Sequence, residues 1–270
     1  MEADRTFQGS IPAVYDRHLG PMLFVPYARD LTSRLTDLRH GRVLETAAGT
    51  GLVTRALISA LPETVSIDAT DLNQPMLDHA SSQLSSPRVT WRQADAQSLP
   101  FPDGMFDIVV CQFGVMFFPD KRQAFSEAFR VLKPDGRFLF SVWDRLESNE
   151  FTHIVTKSLA TVFPDDPPRF MERVPYAHHD VAPLEAQLRA VGFAPVMTEM
   201  VTRESAAPSP LSVATGLCQG TPLRNEIEAR DAARLTEATE VAAAAISSRF
   251  GSGPVVGQIQ AHVITATRNK

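Results

Sequence analysis

Cysteine is nearly absent: Cys111 and Cys218 are the only two in 270 residues, and neither belongs to a CxxC pair. That excludes a disulfide framework and a cysteine-based metal site, and it fits a reducing compartment. Runs of lysine or arginine are missing as well. The 26 basic residues against 31 acidic ones leave a formal net charge of −5. Phosphate tracking needs a basic face, so nucleic acid is not an expected partner. No apolar stretch reaches the roughly 20 residues of a membrane span. The opening Met1-Glu2-Ala3-Asp4-Arg5 lacks the apolar centre of a signal peptide. The expectation is a cytoplasmic protein that engages neither nucleic acid nor membrane, without internal repeats. With 44% hydrophobic residues it has enough apolar material for one large domain carrying insertions, or for two small ones.

What is present is organised around one stretch. Val43-Leu44-Glu45-Thr46-Ala47-Ala48-Gly49-Thr50-Gly51 begins as a short apolar strand and turns on two glycines. It runs on into Leu52-Val53-Thr54-Arg55-Ala56-Leu57-Ile58, whose apolar positions recur at helical spacing. A strand, a glycine turn and a helix N-terminus let bare backbone approach a ligand closely. Asp71 closes the next strand-like run, Val65–Thr70, and is placed to accept hydrogen bonds from ribose hydroxyls. A nucleoside-containing ligand follows.

Two ligands compete for such a turn. A dinucleotide fingerprint, G-x-G-x-x-G/A, wants a third small residue where this chain has Thr54. Glu45, just ahead of the turn, would repel a pyrophosphate but attract an ammonium group. S-adenosylmethionine carries an ammonium and a ribose but no phosphate, so the residues favour it over a nicotinamide cofactor.

The rest of the chain supplies the alternation such a fold needs. Residues 11–40 read as two helical segments broken by Pro21 and Pro26, with Leu31, Leu35 and Leu38 on a buried stripe. Helices are expected from Pro75 and over 121–132, and strands at 88–91, 106–111 and 137–143, with Lys133-Pro134-Asp135-Gly136 as a turn. Beyond Trp143, helices are expected at about 149–162 and 181–191, and a strand at 194–202. An irregular loop with a short helix should cover 206–222, a long helix should start at Thr221-Pro222, and a final strand should run over Gln258–Thr267. Strands alternating with helices over 42–143 predict a doubly wound, Rossmann-like parallel sheet.

These segments carry a resemblance. Val43–Gly51, Thr70-Asp71-Leu72-Asn73, Gln93-Ala94-Asp95-Ala96, Phe106–Phe113 and Leu132-Lys133-Pro134-Asp135-Gly136 stand in the order and spacing of class I S-adenosylmethionine-dependent methyltransferases. The chain most resembles the small-molecule branch related to ubiquinone/menaquinone C-methyltransferases. The resemblance implies a seven-stranded sheet with its last strand antiparallel, and Gln258–Thr267 can supply that strand. The expected organisation is a single methyltransferase domain over 1–270 with helical lid insertions: an N-terminal helical cap at 1–40, a cofactor-binding core at 42–143 and lid or substrate insertions at 145–180 and 206–250.

By the same resemblance Glu45 would face the methionine ammonium. Ala47, Gly49 and Gly51 would floor the methionine and ribose, and Asp71 would take both ribose hydroxyls. Leu72 would touch the adenine, Asp95 would accept from its amino group with the Ala96 backbone nearby, and Gln112 would lie beside the methionine portion. Met76 either covers the adenine or is core. Ala47 stands where many members have glycine, which is tolerable if its backbone angles stay negative.

The motifs identify the donor and not the acceptor, because an activated sulfonium methyl needs in-line positioning more than covalent help. The expected acceptor is a small molecule in a pocket over the strand ends. Its candidate walls are Tyr15, the Phe113–Phe118 loop with Met116 and Phe117, and Trp143. His178 and His179 beside Asp180 are the candidate general bases, against the plainer reading of a solvated turn. Asp166-Pro167-Pro168-Arg169 lies far from the fourth strand and reads as a stiff loop rather than an amino-methyltransferase signature. No metal is expected, and the chain should act as a monomer or homodimer. The alternatives are a donor-binding protein without transferase activity and, last, a nicotinamide-dependent oxidoreductase.

Overall fold

The computed structural model describes Asp4 and residues 9–269. β1 (Gly41–Glu45), β2 (Val65–Asp71), β3 (Val89–Gln93), β4 (Phe106–Gln112), β5 (Leu132–Trp143), β6 (Phe193–Ala207) and β7 (Val255–Arg268) form one sheet in the order β3-β2-β1-β4-β5-β7-β6. Neighbours among β1 to β5 run parallel, and the last strand is antiparallel. This is the doubly wound, seven-stranded architecture that the alternation and the resemblance predict. β1 has β2 on one side and β4 on the other, so the winding reverses there. A crevice opens outside the carboxyl ends of strands at such a switch point.

The chain divides into two compact units. The sheet unit comprises Tyr27–Val142, His179–Val201 and the chain from Ala261. The helical unit comprises the chain up to Pro26, Trp143–His178 and Thr202–Gln260.

In the sheet unit, Val43, Leu44, Val109 and Val110 are fully buried, as expected of strands covered on both faces. α3 (Leu52–Ala60), α4 (Gln74–Gln83), α5 (Lys121–Val131) and α8 (Ala182–Val191) belong to this unit. Phe125 of α5 meets Phe138 and Phe140 of β5, with ring centroids 6.0 and 5.6 Å away. Helix ends leave carbonyls without intrahelical partners, and two arginines take them up. Arg88 donates to the carbonyls of Ile58 (2.8 Å) and Pro62 (2.5 Å) after α3. Arg268 donates to those of Phe129 (2.8 Å) and Arg130 (3.0 Å) at the end of α5. The Lys133–Gly136 turn is a bulge inside β5, where the register jumps from Phe106↔Leu132 to Ile108↔Arg137.

The helical unit holds α1 (Ile11–Val14), α6 (Glu150–Val162), α7 (Phe170–Arg173), α9 (Pro210–Gln219), α10 (Leu223–Asp231) and α11 (Leu235–Phe250). α11 packs on α6 and α9. Its inner face, Ala238, Ala242 and Ile246, is fully buried, and the small alanines permit close approach.

Two local expectations are corrected. The N-terminal prolines do not break the chain into segments: α1 passes through a π-helical stretch, Tyr15–Phe24, into α2 (Val25–Ser33). Pro21 lies inside that stretch, and the Val25 N–H reaches back five residues to the Gly20 carbonyl. The wider winding accommodates a residue that has no N–H and whose ring crowds the preceding turn. The short helix expected within 206–222 is α9 (Pro210–Gln219), whose Val213, Ala214 and Cys218 are fully buried. The long helix after Pro222 is interrupted, because Asp231 turns extended (φ −162°) and its side chain accepts from the Ala233 N–H.

Asp120 caps α5 by accepting from the Gln123 N–H at 2.9 Å. Asp120→Ala is expected to lower stability by about 1 kcal/mol, read as a lower urea midpoint, while Asp120→Asn should retain most of it.

Candidate functional site

Backbone bonds to both neighbours hold the end of β1 open. The Thr46 N–H donates to the Val110 carbonyl of β4, and the Ala48 N–H to the Thr70 carbonyl of β2, each at 2.9 Å. The Thr70 hydroxyl adds a bond of 2.9 Å to the Glu45 carbonyl. The chain between must turn sharply, and Ala47, Gly49 and Gly51 all take positive φ, at 53°, 56° and 78°. The expectation of negative angles at Ala47 is thereby corrected: tethers on both sides force a non-glycine residue into the left-handed region, at a cost of roughly 1–2 kcal/mol.

The two glycines serve different ends. A Cβ on Gly51 would stand 2.9 Å from the Trp91 ring and 3.2 Å from the Ala80 methyl, so Gly51 lets the turn pack on β3 and α4. A Cβ on Gly49 would meet nothing within 4 Å. That open side, floored by bare backbone, is where a ligand can lie. Gly114, beyond β4, has an ordinary backbone (φ −101°), but a Cβ there would sit 2.5 Å from the Ala47 methyl and 2.7 Å from the Cys111 sulfur.

Two buried carboxyl groups flank this turn. Asp71 accepts from the Gly49 N–H through Oδ2 and from the Asn73 N–H through Oδ1, both at 2.8 Å. Oδ1 also accepts from the Asn73 side-chain amide at 3.4 Å. Burial raises the Asp71 pKa, and these N–H donors oppose the rise. Glu45 is 2% exposed, and its Oε2 accepts from the Thr54 hydroxyl at 2.5 Å. Burial is the main cause that pushes Glu45 up to about 8; the Thr54 hydroxyl opposes it and the nearby Asp71 adds to it. The folded state therefore holds a proton that the unfolded chain releases near pH 4.5. This group's contribution to stability declines as pH rises from about 4.5 to about 8.

The other residues singled out by sequence fall as follows. Leu72, just past Asp71, is 42% exposed, an apolar side chain offered to solvent. Met76 is 3% exposed on the inner face of α4, beside Leu77 and Ala80, and presents little surface to a ligand. Asp95 is half-buried and turns the loop after β3 by accepting from the Gln97 N–H at 2.9 Å, with half-buried Ala96 beside it. Gln112 closes β4 opposite Ser141. Met116 is buried and Phe117 half-buried. In the helical unit, Tyr15 stacks on Phe24 at 4.8 Å, and Trp143 on Tyr176 at 5.8 Å. His178 is half-buried and His179 exposed, while Asp180 accepts from the Ala182 N–H at the start of α8. Cys111 is a buried thiol pushed up to about 12 by desolvation, and so is inert as a nucleophile.

Sequence reasoning missed Thr54 and Gly114. Thr54 entered only as a poor fit to a dinucleotide fingerprint, although a hydroxyl in the first turn of the helix that follows a turn-flanking acid was a usable signal. Gly114 gave none, because its need comes from a methyl distant in the chain.

The chain matches the family described as "Methyltransferase domain" over residues 44–140. It is 30% identical over 176 residues to the ubiquinone/menaquinone biosynthesis C-methyltransferase UbiE of Stutzerimonas stutzeri, covering 60% of this chain and 69% of that one. The crystal structure of the YcgJ protein from Bacillus subtilis superposes with a TM-score of 0.58 at 21% identity, over 91% of this chain and 99% of that one. Phosphoethanolamine N-methyltransferase 2 of Haemonchus contortus, solved with S-adenosyl-L-methionine, gives 0.64 at 16% identity, over 99% of this chain and 59% of that one.

Relief of the left-handed alanine should make Ala47→Gly stabilising by up to about 1 kcal/mol. Gly114→Ala should destabilise by roughly 1–3 kcal/mol through overpacking. The double variant should recover part of that loss, a coupling that denaturant melts of the four proteins would register.

Proposed function

This chain belongs to the class I S-adenosylmethionine-dependent methyltransferases, and we propose that it methylates a small-molecule acceptor while Glu45 and Asp71 grip opposite ends of the donor. One observation carries the reading: two buried carboxyl groups flank a glycine turn whose Gly49 faces open space. A ligand with an ammonium at one end and a ribose at the other suits that pair. Asp71 already has its carboxylate oriented by two backbone N–H groups, so ribose hydroxyls meet a preorganised acceptor. Glu45 takes the ammonium, and Leu72, Asp95 and the Ala96 backbone serve the adenine end. Gln112 lies beside the methionine portion.

The bound donor supplies a sulfonium methyl that is already activated for displacement. The chain's own work is then to hold the donor rigidly, admit the acceptor in line and keep water out. No covalent nucleophile is needed, which accords with a buried Cys111 thiol.

A small acceptor is supported by a concavity of about 350 Å3 in the helical unit, a size within the usual range of ligand pockets. The π-helical stretch contributes Arg17 and His18, and the segment leading into α9 contributes Ser209 and Ser212. Both segments are among those expected to wall the acceptor. The imidazole Nδ1 of His18 and the Ser212 hydroxyl are hydrogen-bonded at 2.9 Å. The proposal of methyl transfer, rather than donor binding alone, is tested by a labelled-methyl screen against phenols, carboxylates, amines and quinones. Tight donor binding without turnover across that set would favour a binding protein.

For the donor site, Asp71→Asn is expected to weaken S-adenosylhomocysteine binding by about 1–3 kcal/mol, measured by calorimetry. Unchanged affinity would remove Asp71 from the site. Because an ammonium favours the ionised form of Glu45, binding at pH 7 should release a proton. Affinity should rise as pH climbs towards about 8, and calorimetry in buffers of different ionisation heat counts the protons.

A further inference from the structure

We propose that Thr54 is a positioning residue for the donor's ammonium, acting through Glu45. The inference rests on the reading of Glu45 given above and deepens it.

α3 begins at Leu52 after Gly51, which supplies no side-chain cap. Thr54 is the third residue of that helix, and its N–H is among the donors that have no partner within the helix. Its hydroxyl is also turned inward, since Thr54 is fully buried. The hydroxyl is directed at the Glu45 carboxyl, 2.5 Å from Oε2. Glu45 thus reaches forward from the end of the strand to the first turn of α3. One carboxyl oxygen is held by the hydroxyl, which fixes the side chain's rotation and leaves the orientation of the other defined.

The charged surroundings make this restraint consequential. Asp71 on β2 faces Glu45 with like charge, and the Cys111 thiol on β4 lies close enough to feel both acids. Arg55, on α3 itself, exerts a favourable field but sends its guanidinium to the Thr50 carbonyl at 2.9 Å. The Thr54 hydroxyl is therefore the neutral donor that makes an ionised Glu45 tolerable in this interior. A threonine at this position is an asset for a cationic ligand, where a dinucleotide site would want only a small residue.

The test is a calorimetric titration of wild type, Thr54→Val, Thr54→Ser and Glu45→Gln with S-adenosylhomocysteine from pH 6 to 9, in two buffers of different ionisation heat. Thr54→Val keeps the shape and the N–H and loses the hydroxyl. It should bind roughly tenfold more weakly, and the midpoint of its proton release should move to higher pH. Thr54→Ser should restore both towards wild type. Wild-type affinity and an unmoved midpoint in Thr54→Val would overturn the proposal. So would a loss of affinity with an unmoved midpoint, the mark of a merely structural role. If Glu45→Gln binds like wild type, the reading of Glu45 fails and takes this one with it. If Glu45→Gln is weak while Thr54→Val is unchanged, only the role of Thr54 fails.

Discussion

A buried carboxyl group with a single strong side-chain donor is the constraint around which the sheet unit is arranged. Glu45 sits where β1 stops pairing, beneath the first turn of α3, and Thr54 answers it at 2.5 Å. An acid in that place is costly by desolvation alone. The N-terminal end of a helix offsets part of the cost through its free N–H groups and its dipole. The strand, the turn and the helix are therefore bound by one polar contact as well as by packing. Thr54 thus belongs both to the first turn of α3 and to the immediate surroundings of the buried acid.

Asp71 performs the complementary task from β2. Its two oxygens hold the Gly49 and Asn73 N–H groups, so the glycine turn and the start of α4 are anchored to one carboxylate. With the turn fixed, its bare floor at Gly49 can stay open without collapsing. The backbone nevertheless bears strain, concentrated at Ala47, and its methyl is accommodated because Gly114 across the crevice has no side chain. Strain held by surrounding structure at a ligand-facing turn is a familiar way to keep a site preorganised.

The helical unit is built on different physics. α11 lies on α6 and α9 through alanines and one isoleucine, a contact made by shape more than by polar bonds. Of its aromatic pairs, Tyr15 with Phe24 lies within the π-helical stretch, while Trp143 with Tyr176 joins the end of β5 to the segment after α7. Acceptor chemistry differs among proteins that resemble this one, from a C-methyltransferase of quinone biosynthesis to an N-methyltransferase of phosphoethanolamine.

Much of the sheet unit was legible in the residues themselves. Apolar strand runs, glycines at the turn, Asp71 closing the following strand and helical periodicity are local signals, and local signals survive without knowledge of the fold. Position and charge also singled out the two acids that the structure buries beside the turn. What the tertiary structure decided was every feature set by partners remote in sequence: the left-handed Ala47, the need for glycine at 114 and the proton carried by Glu45. The same holds where tertiary packing or turn chemistry overrode a local rule, as in the π-helical passage through Pro21 and the break at Asp231. Periodicity reports which face of an element is apolar. It does not report what that face meets, and burial, ionisation and steric need are properties of the meeting.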